Sequence, residues 1–267
     1  MKLAIIGTGN MGKALLRGFI IGGVLAPKDI TVCDVREDAV KAVCDEYGVN
    51  GCTKAVEAVK DADYCLLAIK PQHFDDTLTS IVPGLSESCI ILSIAAAVKC
   101  ERIESIIGSD KKYVRIMPNT PAQVGCGVSA VCPVSLDKDQ TDFVVKLLST
   151  CGEVVHCDEK TLDAIGCVSG TGPAYVMLFI EAMADAAVSL GIKRDDALKI
   201  AAATVMGSGK LVLDTKQHPA VLKDQVCSPS GTTIAGVMAL EEYGLRNAVI
   251  KSVIAASDKT KQLANGK

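Results

Sequence analysis

Apolar positions along the chain change texture once, near residue 157. Before that point, short continuous apolar runs alternate with segments of helical spacing. The runs Lys2–Ile6, Ile30–Cys33, Tyr64–Ile69, Ile90–Ile94 and Val114–Met117 read as strands. Arg36–Tyr47 and Lys99–Ile107 have the spacing of helices, and two weaker runs, Gly127–Cys132 and Glu153–His156, flank a helical segment, Lys138–Thr150. Continuous apolar strands separated by helices predict a parallel sheet with both faces covered, hence a doubly wound α/β domain over residues 1–157.

From residue 158 to 267 the strand signals stop. Helices are predicted at Thr161–Val168, Pro173–Leu190, Asp195–Asp214, Ala220–Cys227, Thr232–Tyr243 and Arg246–Leu263, separated by glycines, prolines and short polar links. Several of these helices are apolar on more than one face, as Ala182, Met183, Ala186, Ala187 and Val188 illustrate. Such a helix must be enclosed, and a domain this small has little interior. A second copy of the chain is the expected cover, giving a homodimer through the helical domain.

The first apolar run leads into Gly7-Thr8-Gly9-Asn10-Met11-Gly12, a G-x-G-x-x-G pattern between a strand and a helix. In a dinucleotide-binding unit the first glycine makes a tight turn and the second admits a pyrophosphate. The third lets the helix pack close to the sheet, and the helix N-terminus faces the phosphates. The second run ends at Asp34, where an acid is expected to accept bonds from ribose hydroxyls and to repel a 2′-phosphate. Arg36, two residues on, has the opposite preference, so NADH and NADPH both remain open as cofactors.

Sheets of this kind bind ligands at the carboxyl ends of their strands, which directs attention to three more loops. Lys70-Pro71-Gln72-His73 follows the third run, Ala95-Ala96-Ala97 the fourth and Pro118-Asn119-Thr120-Pro121 the fifth. Ala95 and Ala96 are small enough for a flat ring to approach, Asn119 is suited to bonding a carboxamide, and Lys70 to meeting a phosphate or carboxylate.

Composition narrows the classes. The net charge is −3 over 267 residues, with both signs interspersed, so no basic block points to nucleic acid. The amino terminus lacks the pattern of a secretion signal. Glu181 and Asp185 interrupt Pro173–Leu190, the stretch nearest to a membrane span, so no membrane insertion is expected. The twelve cysteines are scattered without C-x-x-C spacing, and His73, His156 and His218 do not pair at ligand spacing. A reducing cytoplasm and no metal are expected.

Two segments of the helical half are built for a ligand. Ser169-Gly170-Thr171-Gly172-Pro173-Ala174-Tyr175 brings small residues to a helix start. Cys227-Ser228-Pro229-Ser230-Gly231-Thr232-Thr233 leads hydroxyls and a glycine into another, a site suited to a carboxylate. Simple N-capping by Ser230 or Thr232 is the bland alternative.

Together with Ala68-Ile69-Lys70-Pro71, Ser93-Ile94-Ala95-Ala96, Met117-Pro118-Asn119-Thr120-Pro121-Ala122 and His218-Pro219, these motifs make nearly the whole chain resemble the pyrroline-5-carboxylate reductases. It departs from their usual pattern at Ala97 and Ser230, where the family commonly has glycine. The resemblance implies a Rossmann-type domain followed by an all-helical dimerisation domain, with dimers commonly assembling into decamers. It implies reduction of Δ1-pyrroline-5-carboxylate to L-proline by NADPH or NADH, the last step of proline synthesis. By the same resemblance, Thr233 contacts the ring nitrogen, while Ser228, Gly231 and Thr232 hold the carboxylate and Glu159 lies near the substrate. Cofactor contacts map to Ile6, Gly7, Thr8, Gly9, Asn10 and Met11, to Asp34, to Ala68, Ile69, Lys70 and Pro71, and to Ala95 and Ala96.

Three other readings compete. A reductase of a related cyclic imino acid differs little in sequence. A β-hydroxyacid dehydrogenase needs a Lys or His base facing the nicotinamide, and Gly170–Tyr175 supplies none. A non-catalytic nucleotide sensor would not need the hydroxyl-rich helix start.

Overall fold

The computed structural model describes residues 1–264. The chain falls into two compact units, Met1–Gly170 joined by the chain from Lys259, and Thr171–Asp258. The first unit runs β1 (Leu3–Ile6), α1 (Asn10–Ile21), β2 (Ile30–Cys33), α2 (Glu37–Tyr47), β3 (Asn50–Cys52), α3 (Ala55–Ala58), β4 (Tyr64–Leu67), α4 (Phe74–Ile81), β5 (Ile90–Ser93), α5 (Cys100–Ile107), β6 (Tyr113–Met117), β7 (Gly127–Val134), α6 (Lys138–Ser149), β8 (Gly152–His156) and α7 (Glu159–Ser169). Then follow α8 (Gly172–Ser189), α9 (Arg194–Thr215), α10 (Pro219–Val226), α11 (Thr232–Glu242) and α12 (Leu245–Ala264).

One eight-stranded sheet, ordered β3-β2-β1-β4-β5-β6-β7-β8, forms the first unit. Its strands alternate between two cores, as β1 shows. Leu3 and Ile5 join Leu15, Leu16 and Phe19 of α1 on one face, and Ala4 and Ile6 join Phe74, Leu78 and Ile81 of α4 on the other. The order reverses at β1, whose neighbours β2 and β4 both run parallel to it. That reversal opens a crevice at the carboxyl ends of the strands.

The sheet is not wholly parallel. β7 runs antiparallel to β6, with Met117 opposite Ala130, because the link between them is too short for a parallel crossover. The sequence pattern also gave no sign of β3, α3 or α4. Asn50 and Gly51 of β3 are exposed, so this edge strand carries no apolar run, and it is pinned instead by the Asn50 amide donating to the Lys28 carbonyl at 2.8 Å.

The helix α7, read from sequence as the start of the helical half, belongs to the first unit. Leu162 packs with Ala130 and Cys132 of β7 and with Met117. Among the described residues none of the twelve cysteines forms a disulfide. Burial pushes the Cys89 thiol up to about 12, so it stays protonated as a small core residue.

In the second unit α8 and α9 meet through Ala184, Ala197 and Ala201, whose small side chains let the two backbones approach. Beyond these three, only Leu222 is a buried apolar residue among those described there. Met177, Leu178, Met206, Leu213, Met238 and Ile250 are all more than half exposed. The stretch Glu159–Ser189 holds an 18-residue window of mean hydropathy 1.3, long and apolar enough to cross a membrane, and 11% of that window is buried within one chain. So much uncovered apolar surface is what an oligomer interface leaves on an isolated subunit.

Candidate functional site

The glycine loop is built as a nucleotide cradle. Gly7 leaves β1 at φ +103°, and a Cβ there would stand 2.3 Å from the Ala68 carbonyl oxygen. Its N–H donates to the Cys33 carbonyl at 2.7 Å, so the turn is bonded to the end of β2. A Cβ on Gly12 would meet the Gly7 carbonyl oxygen at 2.3 Å, which explains how α1 comes so close to the loop. Around Gly9 a Cβ would meet nothing within 4 Å, leaving open space at the N-cap of α1. That helix has no side-chain cap and no acidic residue in its first turn. Its free N–H groups and positive dipole end are therefore available to an anion.

Beside the loop lies a cavity of about 640 Å³ lined by Ile6, Gly7, Asp34, Arg36, Ala68, Ile69 and Lys70, with Thr53, His73, Asp76, Thr77 and Ser80 among its other walls. The residues present thus fit a dinucleotide: a pyrophosphate at the bare helix start, and a nucleoside in the adjoining cavity. Strand-end hydrogen bonds gather the loops, with Ala68 N donating to the Ile6 carbonyl at 2.8 Å and Ile94 N to that of Leu67 at 3.2 Å. Ala95 is buried and Ala96 exposed, and Pro71 follows the exposed Lys70 in a short 3-10 turn.

Asp34 is already engaged. Its Oδ2 accepts from the Thr8 N–H at 2.9 Å and the Thr8 hydroxyl at 2.8 Å, and its Oδ1 accepts from the Arg36 N–H at 3.1 Å. Burial pushes this carboxyl up, but the Thr8 and Arg36 bonds outweigh it and hold the group below the usual carboxylate value.

Two sequence-derived site residues turn out to be bound within the fold. Asn119, expected to meet a carboxamide, accepts from the Val128 N–H at 2.8 Å and donates to the Ser169 carbonyl at 2.9 Å. It is 7% exposed, and it clamps the end of β6 to β7 and to the last turn of α7. Glu159, expected near substrate, accepts from the Cys100 N–H and from Arg115, both at 2.6 Å on the same oxygen. Burial raises its pKa, yet the Cys100 and Arg115 bonds prevail and lower it. Arg115 was missed as a structural centre. The signal was available: a cation within an otherwise apolar strand must have a partner.

In the second unit, Ser228–Gly231 forms a turn, with Gly231 N donating to the Ser228 carbonyl at 3.1 Å. A Cβ on Gly231 would stand 2.3 Å from the Ser228 hydroxyl oxygen, so a larger residue at this N-cap position of α11 would have to turn that hydroxyl away. The helix has neither a side-chain cap nor an acid in its first turn. Ser230 and Thr232 are therefore not spent on capping, and Thr232 and Thr233 carry hydroxyls on an open helix start. Most other helices differ: α6, α7 and α10 are capped by Asp137, Asp158 and His218, and α2, α4, α5 and α9 carry acids in the first turn.

Among the described residues no group of three or more His, Cys, Asp or Glu is placed to hold a metal.

Comparison with known proteins matches residues 159–263 to the family described as pyrroline-5-carboxylate reductase dimerisation. Residues 2–97 match the family described as NADP oxidoreductase coenzyme F420-dependent. The pyrroline-5-carboxylate reductase of Escherichia coli is 42% identical over 264 residues, 98% of each chain. The pyrroline-5-carboxylate reductase structure from Coxiella burnetii superposes with a TM-score of 0.92 at 31% identity, covering 98% of each chain. That of the Plasmodium falciparum pyrroline carboxylate reductase with NADP bound gives 0.87 at 30% identity, over 99% of this chain and 98% of that one. With full-length identity at this level and both halves matched, the chain belongs to the pyrroline-5-carboxylate reductase family.

Proposed function

We propose that the chain reduces Δ1-pyrroline-5-carboxylate to L-proline, with the first unit binding NAD(P)H and the second the substrate. The observation that carries this reading is the bare start of α11, with Gly231 as N-cap and two threonine hydroxyls in the first turn. The substrate is a cyclic imine bearing a carboxylate. Free N–H groups at a helix start suit that anion, with Ser228, Gly231 and Thr232 as its holders. The Thr233 hydroxyl accepts from the protonated ring nitrogen.

When bound, the cofactor supplies the hydride. A protonated imine carbon is already electrophilic, so the chain's residues need only orient the ring, exclude water and bond the changing nitrogen. No strong side-chain acid is required. The cradle at Gly7–Met11, the loop Ala68–Pro71 and the pair Ala95–Ala96 serve as cofactor holders, whereas Glu159 and Asn119 serve the fold.

The apolar faces of α8 to α12 are read as the surface that meets a second copy, as a homodimer and, by the family resemblance, as part of a decamer. A protein partner rather than a membrane then covers the apolar faces of α8, and we read the enzyme as cytoplasmic.

The test is oxidation of NAD(P)H, followed by its absorbance, on adding pyrroline-5-carboxylate to the purified chain. Thr233→Ala should lose about 10- to 100-fold in kcat/KM, the worth of a hydrogen bond to a charged group. Faster turnover of a piperideine carboxylate would favour the related-imine reading, and an unimpaired Thr233→Ala would remove the role given to that hydroxyl.

A further inference from the structure

The second run of apolar residues ends in an acid, and an acid there ordinarily grips both ribose hydroxyls and repels a 2′-phosphate. The geometry around Asp34 does not leave it free to do so. A carboxylate offers about four lone-pair sites. Three are filled, two by the N–H and hydroxyl of Thr8 and one by the N–H of Arg36. A two-bond grip on the ribose diol would need two open sites. Thr8 is 3% exposed, so its hydroxyl has no water to turn to and is committed to the carboxylate.

The neighbouring cation is placed differently. The Arg36 side chain is 63% exposed, its Nε is 3.8 Å from Asp34 Oδ1, and it lines the same cavity as Lys70 and His73. Asp76 is the other acid on that wall. Asp34 is thus drained by three donors and partly neutralised by a cation, and that cation still has its outer N–H groups free to fork a phosphate.

We propose that the Thr8 hydroxyl is a cofactor-selectivity determinant: it holds Asp34 against the glycine loop and leaves the ribose 2′-position to Arg36, so that the chain takes NADPH in preference to NADH. This rests on the reading of the chain as an NAD(P)H-dependent reductase. Thr8 acts through Asp34 and is a positioning residue, whereas Arg36 touches the phosphate.

The experiment is equilibrium titration of the full chain with NADPH and with NADH, read by nucleotide fluorescence. Wild type should bind NADPH about 10-fold or more tightly, the value of a charge-assisted bond to phosphate. Thr8→Val keeps the side-chain shape and the backbone N–H but releases one carboxylate lone pair. The NADPH:NADH preference should then fall about 10-fold. Thr8→Ser restores the hydroxyl and should restore the preference. Arg36→Met, at an exposed side chain, should lower NADPH affinity about 10- to 100-fold relative to NADH, and it provides a test even if Thr8→Val does not fold. Equal or tighter binding of NADH by wild type would overturn the proposal, as would an unchanged ratio in Thr8→Val. A chain that binds NADPH selectively but leaves pyrroline-5-carboxylate unreduced would refute the proposed reaction and support the selectivity device.

Discussion

Arg115 Nη1 lies 2.6 Å from Glu159 Oε1, and the same oxygen receives the Cys100 N–H that opens α5. One carboxylate therefore ties together β6, the first turn of α7 and the helix that follows the Ala95–Ala97 loop. The Arg115 side chain is 3% exposed and that of Glu159 37%. Its second carboxylate partner, Asp163, is 3.3 Å from Nη2. Removing one partner of a buried pair leaves an uncompensated charge. Glu159→Gln keeps a hydrogen-bonding side chain, whereas Arg115→Met strands two carboxylates. We expect Arg115→Met to cost about 2–4 kcal/mol, reduced from the fully buried case because water reaches Glu159. Thermal denaturation of the two variants checks the order.

The same carboxylate predicts an acid-side stability loss. Its folded pKa lies below the ordinary glutamate value, so the unfolded chain binds the proton more readily. Its contribution is complete above the unfolded value of about 4.3 and is lost as pH falls from there through the lower folded value. Melting curves of wild type should therefore fall toward Glu159→Gln in that window, and an unchanged gap between the two would count against the pairing.

Gly7 and Gly9 should respond oppositely to alanine. At Gly7 a Cβ meets the Ala68 carbonyl and the backbone is left-handed, so Gly7→Ala should lower Tm and abolish nucleotide binding together. Gly9→Ala meets nothing. It should fold with wild-type Tm and lose about 10-fold or more in NADPH affinity by intruding where the pyrophosphate approaches. Parallel calorimetry and titration separate the two.

Asn119→Ala would leave the Val128 N–H and the Ser169 carbonyl without their partner. We expect about 2–4 kcal/mol of lost stability, the lower part of the 1–3 per unpaired group because both groups are only half-buried. Nucleotide Kd measured well below the new melting temperature should stay near wild type. A large rise in Kd with normal stability would return Asn119 to the cofactor.

Ala97 and Ser230, the two departures from the family pattern, sit at φ +61° and φ +58°. A Cβ in that region costs about 1–2 kcal/mol, partly offset by the stiffer unfolded chain. Ala97→Gly and Ser230→Gly should each be neutral or stabilising by up to about 1 kcal/mol. A clear drop in Tm would show that the methyl or hydroxyl makes a contact that matters.

Met177, 61% exposed, and Phe179, 38% exposed, are two of the uncovered apolar side chains of α8. Replacing both by Glu should shift the mass read by light scattering toward the monomer, because a buried like-charge cluster opposes association. An unchanged mass would move the interface elsewhere.

The local pattern of residues determined much of this protein. Apolar runs located seven of the eight strands, because most of these strands are buried on both faces and so need continuous apolar sequence. The glycine motif located the cradle, because few residues tolerate its backbone. The Ser-Pro-Ser-Gly segment before α11 located a helix start, since the turn that leads into a helix is set by local residues. Tertiary structure decided what local pattern does not encode. The antiparallel turn into β7 follows from the short link after Met117, and β3 is held by partners on distant loops. Most of all, the fold decided which polar side chains were already engaged. Asp34, Asn119 and Glu159 look alike in sequence as groups open to a ligand. Their hydrogen bonds to Thr8, Val128, Ser169, Cys100 and Arg115 come from strands and helices up to 59 positions apart, and a donor brought in by the fold satisfies a buried carboxylate or amide before any ligand arrives.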